Sequence, residues 1–255
     1  RQDRRVTPRA QGSRPGPASQ DTTMRDHILY KGRSRFTGVP IAAVVTGLDR
    51  PSENPKTGRM AQMWIIPQQL SPRSAVETGT DSAICGLCSL RPILHKLARR
   101  ARAKLACYVE SEKAPGSVWR RYKRGGYAPR ESGAFPLPVR LTGHGDAAAI
   151  PLRVIQGLIP RCAHRWTAYT SHWRKRPGLR PYFMASCKTA AEATEAQSQG
   201  WRTFRVLGQA ERMLPNEIAC PASAEAGKRT TCDRCLLCDG LGGGASRKNI
   251  AIREH

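Results

Sequence analysis

The spacing of apolar residues divides the second half of the chain into short strands that alternate with helices. Apolar runs predict strands at 138–142, 166–170, 182–185, 202–207, 217–219 and 249–252. One helix is predicted over 147–159, and another runs from the capping box of Thr189 and Glu192 to Gly200. In the first half, the pattern predicts strands at 36–48 and 60–66 and a helix over 71–78.

Strands that alternate with helices of roughly ten residues predict a parallel sheet with right-handed crossovers. An incomplete or irregular parallel β/α barrel and an open doubly wound sheet both satisfy this pattern. We favour the barrel, because residues able to do chemistry recur just past predicted strand ends and barrel loops open on one face. These residues are His144, Asp146, Ser171, His172, Ser186, Cys187 and Cys220. The expected fold is therefore an α/β barrel with a cysteine-rich C-terminal metal loop.

The composition of the chain predicts one domain preceded by a tail. Residues 1–23 have almost no apolar residues to bury and are expected to form a disordered basic tail. The chain opens on Arg1, and Met24 is an alternative start that would leave this tail untranslated. Residues 24–255 are predicted to form a single α/β domain that contains a cysteine-rich metal-binding segment at 220–240.

Four cysteines of this segment have the spacing of metal ligands. Cys232, Cys235 and Cys238 follow the pattern C-x2-C-x2-C, and the more distant Cys220 is followed by Pro221. Three thiolates on one tight loop plus a remote Cys-Pro suit an iron-sulfur cluster such as [4Fe-4S]. With a different turn geometry, four cysteines also suit a zinc site. We favour iron-sulfur, because three closely spaced sulfurs are more than one zinc knuckle needs.

A second group comprises Cys85, Cys88 and Cys107, of which the first two repeat the C-x2-C step. These cysteines are predicted metal ligands too, either in a site of their own or in a zinc ribbon shared with the C-terminal group. Of the nine cysteines in the chain, Cys162 and Cys187 lie outside both groups and are expected to be small buried hydrophobes.

The sequence contains no secretory signal and no apolar stretch near the roughly 20 residues that span a bilayer. We therefore expect a cytoplasmic protein without a membrane partner. In such a reducing compartment, C-x2-C pairs are more often metal ligands or redox thiols than structural disulfides.

Charge adds a candidate partner. The 255-residue chain carries 43 Lys and Arg against 19 Asp and Glu, a formal net charge of +24, with 39% hydrophobic residues. Such a field attracts nucleic acid, although GC-rich coding also enriches arginine without any function. The basic amphipathic pattern at 93–105 and the mixed aromatic and cationic stretch at 118–130 suit nucleic acid. They equally suit surface helices, the second anchored by Trp119 and Tyr122.

Three polar residues are candidates for catalysis. Asp146 could orient a substrate hydroxyl or cap the helix that follows it, and His172 could be a general base or a hydrogen-bonded structural residue. Arg205 lies inside an apolar strand, so it needs an anionic partner such as Asp146 or a ligand phosphate. Walker-type, dinucleotide-binding, H-E-x-x-H and G-x-S-x-G motifs are lacking, so the corresponding reactions have no support.

Several short motifs resemble a family of uncharacterised phage and prophage proteins, over most of the chain from about Thr46 onward. The matching motifs are Ala83-Ile84-Cys85-x2-Cys88, Cys107-Tyr108-Val109, Val118-Trp119-Arg120, Val139-Arg140-Leu141, Gly145-Asp146, 166–173, Phe183-Met184-Ala185-Ser186, 200–206 and Cys220-Pro221-Ala222-Ser223. The order of these motifs is more distantly similar to phage proteins with a radical-SAM-like barrel. The chain departs from them because Cys85, Cys88 and Cys107 replace the usual C-x3-C-x2-C.

Three functions follow from these patterns. The first is a phage-type cysteine-ligated metal protein that works on or beside nucleic acid in the host cytoplasm. The second is an iron-sulfur enzyme, of radical type if the fold is a radical-SAM-like barrel, in which Asp146, His172 and Arg205 position the substrate. The third is a structural or regulatory phage protein whose zinc folds the C-terminal loop.

Overall fold

The computed structural model describes residues 24–52, 54–97, 107, 109–240 and 248–254. Within these ranges the chain has a mixed α/β fold with two five-stranded sheets in which most strand pairs are parallel. The predicted tail at 1–23 and most of the predicted basic helix beyond residue 97 lie outside the described residues. In the described part of the chain, no helix combines the length and the apolar composition needed to cross a membrane.

The first sheet begins as an antiparallel meander and continues as a parallel sheet. Its strands, in spatial order, are β1 (His27–Arg33), β2 (Pro40–Thr46), β3 (Ala61–Pro67), β4 (Val139–His144) and β5 (Trp166–Thr167). β1, β2 and β3 pair antiparallel, whereas β3, β4 and β5 pair parallel. The apolar runs of β2 and β3 are almost fully buried, as expected for central strands covered on both faces.

The second sheet is parallel throughout. Its strands are β6 (Tyr169–Thr170), β7 (Met184–Cys187), β8 (Thr203–Leu207), β9 (Glu217–Ala219) and β10 (Asn249–Arg253). The spatial order is β6-β7-β8-β10-β9, so the last strand of the chain inserts between β8 and β9.

A single residue, Ala168, separates β5 from β6 and links the two sheets. Its N–H donates to the carbonyl of Cys238 at 2.7 Å, and its carbonyl accepts from the N–H of Met184 at 3.0 Å. The stretch 166–170 therefore pairs with β4 in its first half and with β7 in its second half. The described strands form no closed barrel, because β1 and β9 stand at opposite outer edges. The prediction of a largely parallel α/β fold is confirmed at this level.

Seven short α-helices connect the strands. They are α1 (Pro72–Thr78), α2 (Ser82–Cys85), α3 (Pro92–Leu97), α4 (Ala114–Lys123), α5 (Leu152–Leu158), α6 (Ala190–Ser198) and α7 (Cys232–Cys235), counted within the described ranges. The predicted N-caps are confirmed: the Ser71 side chain accepts from the N–H of Ser74, and the Thr189 side chain accepts from the N–H of Glu192, both at 3.1 Å.

The helix predicted over 147–159 is broken. A 3-10 turn at Ala147–Ala149 precedes Ile150, which is extended with φ −106° and ψ 158°, and α5 starts only at Leu152. Pro151 explains the break, because the residue before a proline is sterically driven out of the helical region. The strand prediction also missed β1, whose alternating polar residues and exposed end are typical of an edge strand.

The two faces of the sheets are covered by different elements. One face, which includes Leu141 and Ala185, packs in the main core with Ile155 of α5 and Ala193 of α6. The opposite face is called the second face below. In the first sheet, the second face packs against α4, where Trp64 and Ile66 lie beside Val118. In the second sheet, it packs against the cysteine-rich segment, where Met184 and Ile250 lie beside Cys220 and Cys238.

Candidate functional site

Asp146 lies just past the end of β4, where its carboxylate collects hydrogen bonds. It accepts from the N–H of Ala148 at 2.9 Å, from the Thr170 hydroxyl at 2.8 Å, and from the N–H and hydroxyl of Ser171 at 2.8 and 3.0 Å. Burial alone would raise the pKa of Asp146, but the hydrogen bonds from His172, Ala148 and Ser171 outweigh it and lower the pKa.

His172 uses both of its ring nitrogens. Because the Asp146 carboxylate only accepts, Nδ1 carries the proton and donates to Oδ2 across 3.1 Å. Nε2 then accepts from the backbone N–H of Leu87 at 3.0 Å. Phe36 stacks on the ring with centroids 4.5 Å apart. This arrangement favours the structural interpretation of both Asp146 and His172, since neither ring nitrogen retains a free lone pair.

The His172 ring explains the glycine in the C-x2-C loop. Gly86 has φ 55°, in the region that favours glycine, and a Cβ at this position would collide with Nε2 of His172. The ring therefore lies directly against the loop between Cys85 and Cys88.

The first cysteine group, Cys85, Cys88 and Cys107, is assembled beside this ring. The Cys88 N–H donates to the Cys85 carbonyl at 3.1 Å, and the Cys107 N–H donates to the Leu90 carbonyl at 2.8 Å. Burial raises the pKa of Cys85 well above its ordinary value, and negative charge on Cys88 and Cys107 would raise it further. The three predicted residues therefore do come together.

A buried arginine holds the loop of the first group in place. Arg91 donates to the carbonyl of Gly86 at 3.1 Å and to the carboxylate of Asp81 at 2.6 Å, with both side chains almost inaccessible. A buried ion pair of this kind keeps its energy only if its geometry is maintained, so the pair fixes the loop conformation.

The second cysteine group, Cys220, Cys232, Cys235 and Cys238, lies against the second face of the second sheet. Cys220 follows β9 directly, Cys232 and Cys235 begin and end α7, and Cys220 and Cys238 are buried. Cys220, Cys232 and Cys238 belong to one apolar cluster with Met184 and Ile250. Cys235 lies three residues from Cys232, at the other end of α7. Three of the four cysteines, Cys220, Cys232 and Cys238, are thus brought together in one cluster.

Two charged side chains and one hydroxyl surround the second group. Burial raises the pKa of Cys238 to about 12, whereas a hydrogen bond from Tyr169 acts in the opposite direction. Burial also raises the pKa of Cys232, and the positive charges of Arg140 and Lys56 oppose that shift. Tyr169 is half-buried and packs on Phe204, with ring centroids 4.5 Å apart.

Backbone hydrogen bonds and a buried aspartate fasten the segment that carries the second group. The N–H groups of Cys232 and Asp233 donate to the carbonyls of Lys56 and Thr57, each at 3.0 Å. Asp239, which is fully buried, forms ion pairs with Arg165 and with Arg202. The segment is therefore attached at two separate places.

The two cysteine groups lie at opposite ends of β4. The first is beside Asp146, past the C-terminal end, and the second is beside Arg140, near the N-terminal end. In the described ranges, no set of three or more His, Cys, Asp or Glu side chains is arranged to hold a metal ion. All nine cysteines lie within these ranges, and none forms a disulfide.

The chain matches no protein-family model, no curated protein and no solved structure.

Arg205 has a partner within the fold. Its guanidinium donates to both carboxylate oxygens of Glu217 at 2.8 and 2.7 Å, and to the carbonyl of Arg212 at 2.8 Å. Only 1% of Arg205 is exposed. The anionic partner is Glu217 on β9 rather than Asp146, and two strands on either side of β10 are thereby joined.

A cleft of about 730 Å3 opens on the second face of the first sheet. Its lining includes Gln62, Trp64 and Arg140 on the strands and Lys113 at the start of α4. Both kinds of charge line this cleft, because Asp26, Asp49 and Glu110 accompany the basic residues.

The aromatic residues of the basic stretch at 118–130 serve mainly as anchors. Trp119 and Tyr122 pack against the cluster that contains Trp64, while Arg120 and Lys123 are exposed. The anchoring alternative for this helix is confirmed. Cys162 and Cys187 are buried in the main core, as predicted.

Sequence reasoning missed the partners of the predicted residues. Tyr169, Asp81, Asp239 and Glu217 each contact a predicted residue or the segment that carries it. One partner has a signal in the sequence of β8. Arg205 lies between apolar neighbours in this strand, and a buried arginine requires a carboxylate nearby.

Proposed function

We propose that the chain is a cysteine-ligated metal-binding protein of phage type, with an iron-sulfur cluster or zinc, that works on or beside nucleic acid. The observation that carries the metal proposal is that Cys220, Cys232 and Cys238 share one cluster on the second face, with Cys235 at the end of the same helix as Cys232. Four thiolates satisfy a [4Fe-4S] cluster or a tetrahedral zinc ion. The C-x2-C-x2-C spacing places iron-sulfur ahead of zinc.

The surroundings of the four cysteines fit a bound metal. Arg140 and Lys56 lie beside Cys232 and oppose the rise in its pKa, and Tyr169 packs against the cluster that contains Cys238. Because burial favours the protonated thiols, metal binding at this place would release protons and draw the sulfurs together. The metal centre would either hold the segment 220–240 in its fold or supply one-electron chemistry.

Cys85, Cys88 and Cys107 are proposed as ligands of a second metal site. Their support is the convergence of two chain segments on one loop held by Arg91. The two groups lie at opposite ends of β4, so this site is separate from the first.

The nucleic-acid part of the proposal rests on charge. The net charge is +24, and α4 presents Arg120 and Lys123 on its exposed side. Nine unpaired thiols suit the reducing cytoplasm of a phage host.

An iron-sulfur enzyme with a radical-SAM-like incomplete barrel is a second candidate. One observation favours it: Arg140 both lines the 730 Å3 cleft and lies beside Cys232, so a ligand in the cleft would be close to the centre. Catalytic roles for Asp146, His172 and Arg205 remain part of this candidate, although their hydrogen bonds favour structural roles.

Metal analysis of protein purified without oxygen tests the main proposal. We expect about one metal centre at the second group, and brown colour for iron-sulfur against none for zinc. Cys235→Ser should lower the bound metal and the melting temperature, since binding and folding are coupled. Cys162→Ala, which removes a buried thiol outside both groups, is the control for metal content. Metal-free wild-type protein, or unchanged metal in Cys235→Ser, would contradict the proposal.

A further inference from the structure

Two arginines meet at the C-terminal end of the parallel strands of the first sheet. Arg35 lies in the connection between β1 and β2, and the register of Ile41 with Pro67 places this connection at the C-terminal end of β3. Arg176 follows His172, which lies past β6. In parallel α/β sheets this is the end at which ligands bind.

The two arginines are fastened to consecutive residues of the 3-10 turn after β4. The N–H of Arg35 donates to the Ala149 carbonyl at 2.8 Å, and Nη2 of Arg176 donates to the Ala148 carbonyl at 3.1 Å. Arg35 is exposed and Arg176 is half-buried. The 3-10 turn therefore fixes the backbone of Arg35 and the guanidinium of Arg176, and both residues remain open to solvent.

In the described part of the chain, the charges of Arg35 and Arg176 are not paired with a carboxylate. Burial and then the positive charge of Arg35 lower the pKa of Arg176, so the two like charges act on each other. Asp146 is the one acidic group that acts on Arg176, but its oxygens are taken by Ala148, Thr170, Ser171 and His172. Across the described ranges, neither Arg35 nor Arg176 has an ion-pair partner.

Guanidinium groups that are held close together without a carboxylate form a receptor for a phosphate, which accepts several N–H bonds at once. We propose that Arg35 and Arg176 bind a phosphate group at the C-terminal end of the strands. The phosphate is free or part of a nucleic-acid backbone, and the second source rests on the function proposed above.

Titration with inorganic pyrophosphate tests the pair directly, and a short fluorescent single-stranded DNA tests the nucleic-acid source. The variants are Arg35→Gln and Arg176→Gln, and Arg59→Gln is the control because it removes the same charge from an exposed residue between β2 and β3, at the opposite end of the strands. A charge-assisted hydrogen bond contributes enough that each variant should weaken pyrophosphate binding roughly 10-fold. Arg59→Gln should have little effect. Melting temperatures check that all variants are folded.

For DNA, each of the two variants should also reduce the slope of log affinity against log salt by roughly 0.7. Pyrophosphate binding that is absent in the wild type, or equally reduced by Arg59→Gln, would overturn the phosphate site. If pyrophosphate binding depends on Arg35 and Arg176 but DNA does not bind, the phosphate site is supported and the nucleic-acid function is contradicted. If DNA binds equally to all variants, the function stands and the pair is not its site.

Discussion

His172 donates its Nδ1 proton to Oδ2 of Asp146 across 3.1 Å, and this bond connects two loops at the C-terminal end of the strands. The other ring nitrogen accepts from Leu87, inside the loop of the first cysteine group. The ring thus connects the ends of β4 and β6 to the C-x2-C loop. Its role is to position that loop.

Replacement of His172 by alanine should destabilise the protein by about 2–4 kcal/mol. The change leaves the Leu87 N–H and part of the Asp146 carboxylate without partners in a buried place. Urea denaturation measures the loss. His164→Ala, which alters an exposed histidine, is the control. A variant as stable as wild type would show that the ring does not hold the loop.

The protein should lose stability in acid because Asp146 becomes protonated. Because its pKa in the folded protein is below the ordinary 3.8, its contribution is present above pH 3.8 and is lost as pH falls through the folded value. The difference in unfolding free energy between wild type and Asp146→Asn should therefore be constant above about pH 5 and shrink in stronger acid. Urea midpoints across the acid range measure it. A difference that grows as pH falls would contradict the lowered pKa.

Arg205 and Glu217 should depend on each other. Glu217→Gln removes the buried counter-charge of Arg205, leaves the more exposed Glu211 at 3.4 Å, and should cost about 3 kcal/mol. The double change Arg205→Met with Glu217→Leu should recover most of that loss, since apolar residues of similar volume replace buried ion pairs well. Chemical denaturation of the two variants measures both values. Equal instability of the single and double variants would argue against a mutual pair.

The sequence predicted most strands correctly because their apolar runs are short, buried and bounded by turns. β1 was missed, since its polar residues alternate as expected for an edge and give no apolar run. The break at Pro151 was overlooked, although the steric effect of proline on Ile150 is local and could have been applied.

The candidate site was predictable only in part. Cysteine spacing identifies residues that come together, because neighbours along a loop remain neighbours in space. The partners come from distant strands: Glu217 reaches Arg205 across β10, and Tyr169 reaches Cys238 from the middle of the sheet. Such pairs depend on strand order, and the insertion of β10 between β8 and β9 has no signal in the local pattern.

The core thiols should make the protein less stable in alkali. Burial raises the pKa of Cys162 and of Cys187 to about 12 in the folded protein, from an ordinary 9.0. Their contribution is therefore complete below pH 9 and is lost as pH rises towards about 12. At pH 10 each thiol should account for about 1 kcal/mol of lost stability. Cys187→Ala, compared with wild type at pH 7 and pH 10, should be less sensitive to pH; equal sensitivity would contradict the burial argument.

The Tyr169 hydroxyl should slow the loss of metal from the second cysteine group, if that group binds metal as proposed. A hydrogen bond from this hydroxyl lowers the pKa of Cys238 against the effect of burial, and partners of this kind commonly change metal affinity 10- to 100-fold. Tyr169→Phe keeps the ring packed on Phe204 and removes only the hydroxyl. Transfer of metal to a chelator should become roughly 10-fold faster, while Tyr182→Phe, a half-buried tyrosine outside the cluster, should behave as wild type. Equal rates in both variants would mean that the hydroxyl packs beside the sulfur without holding it.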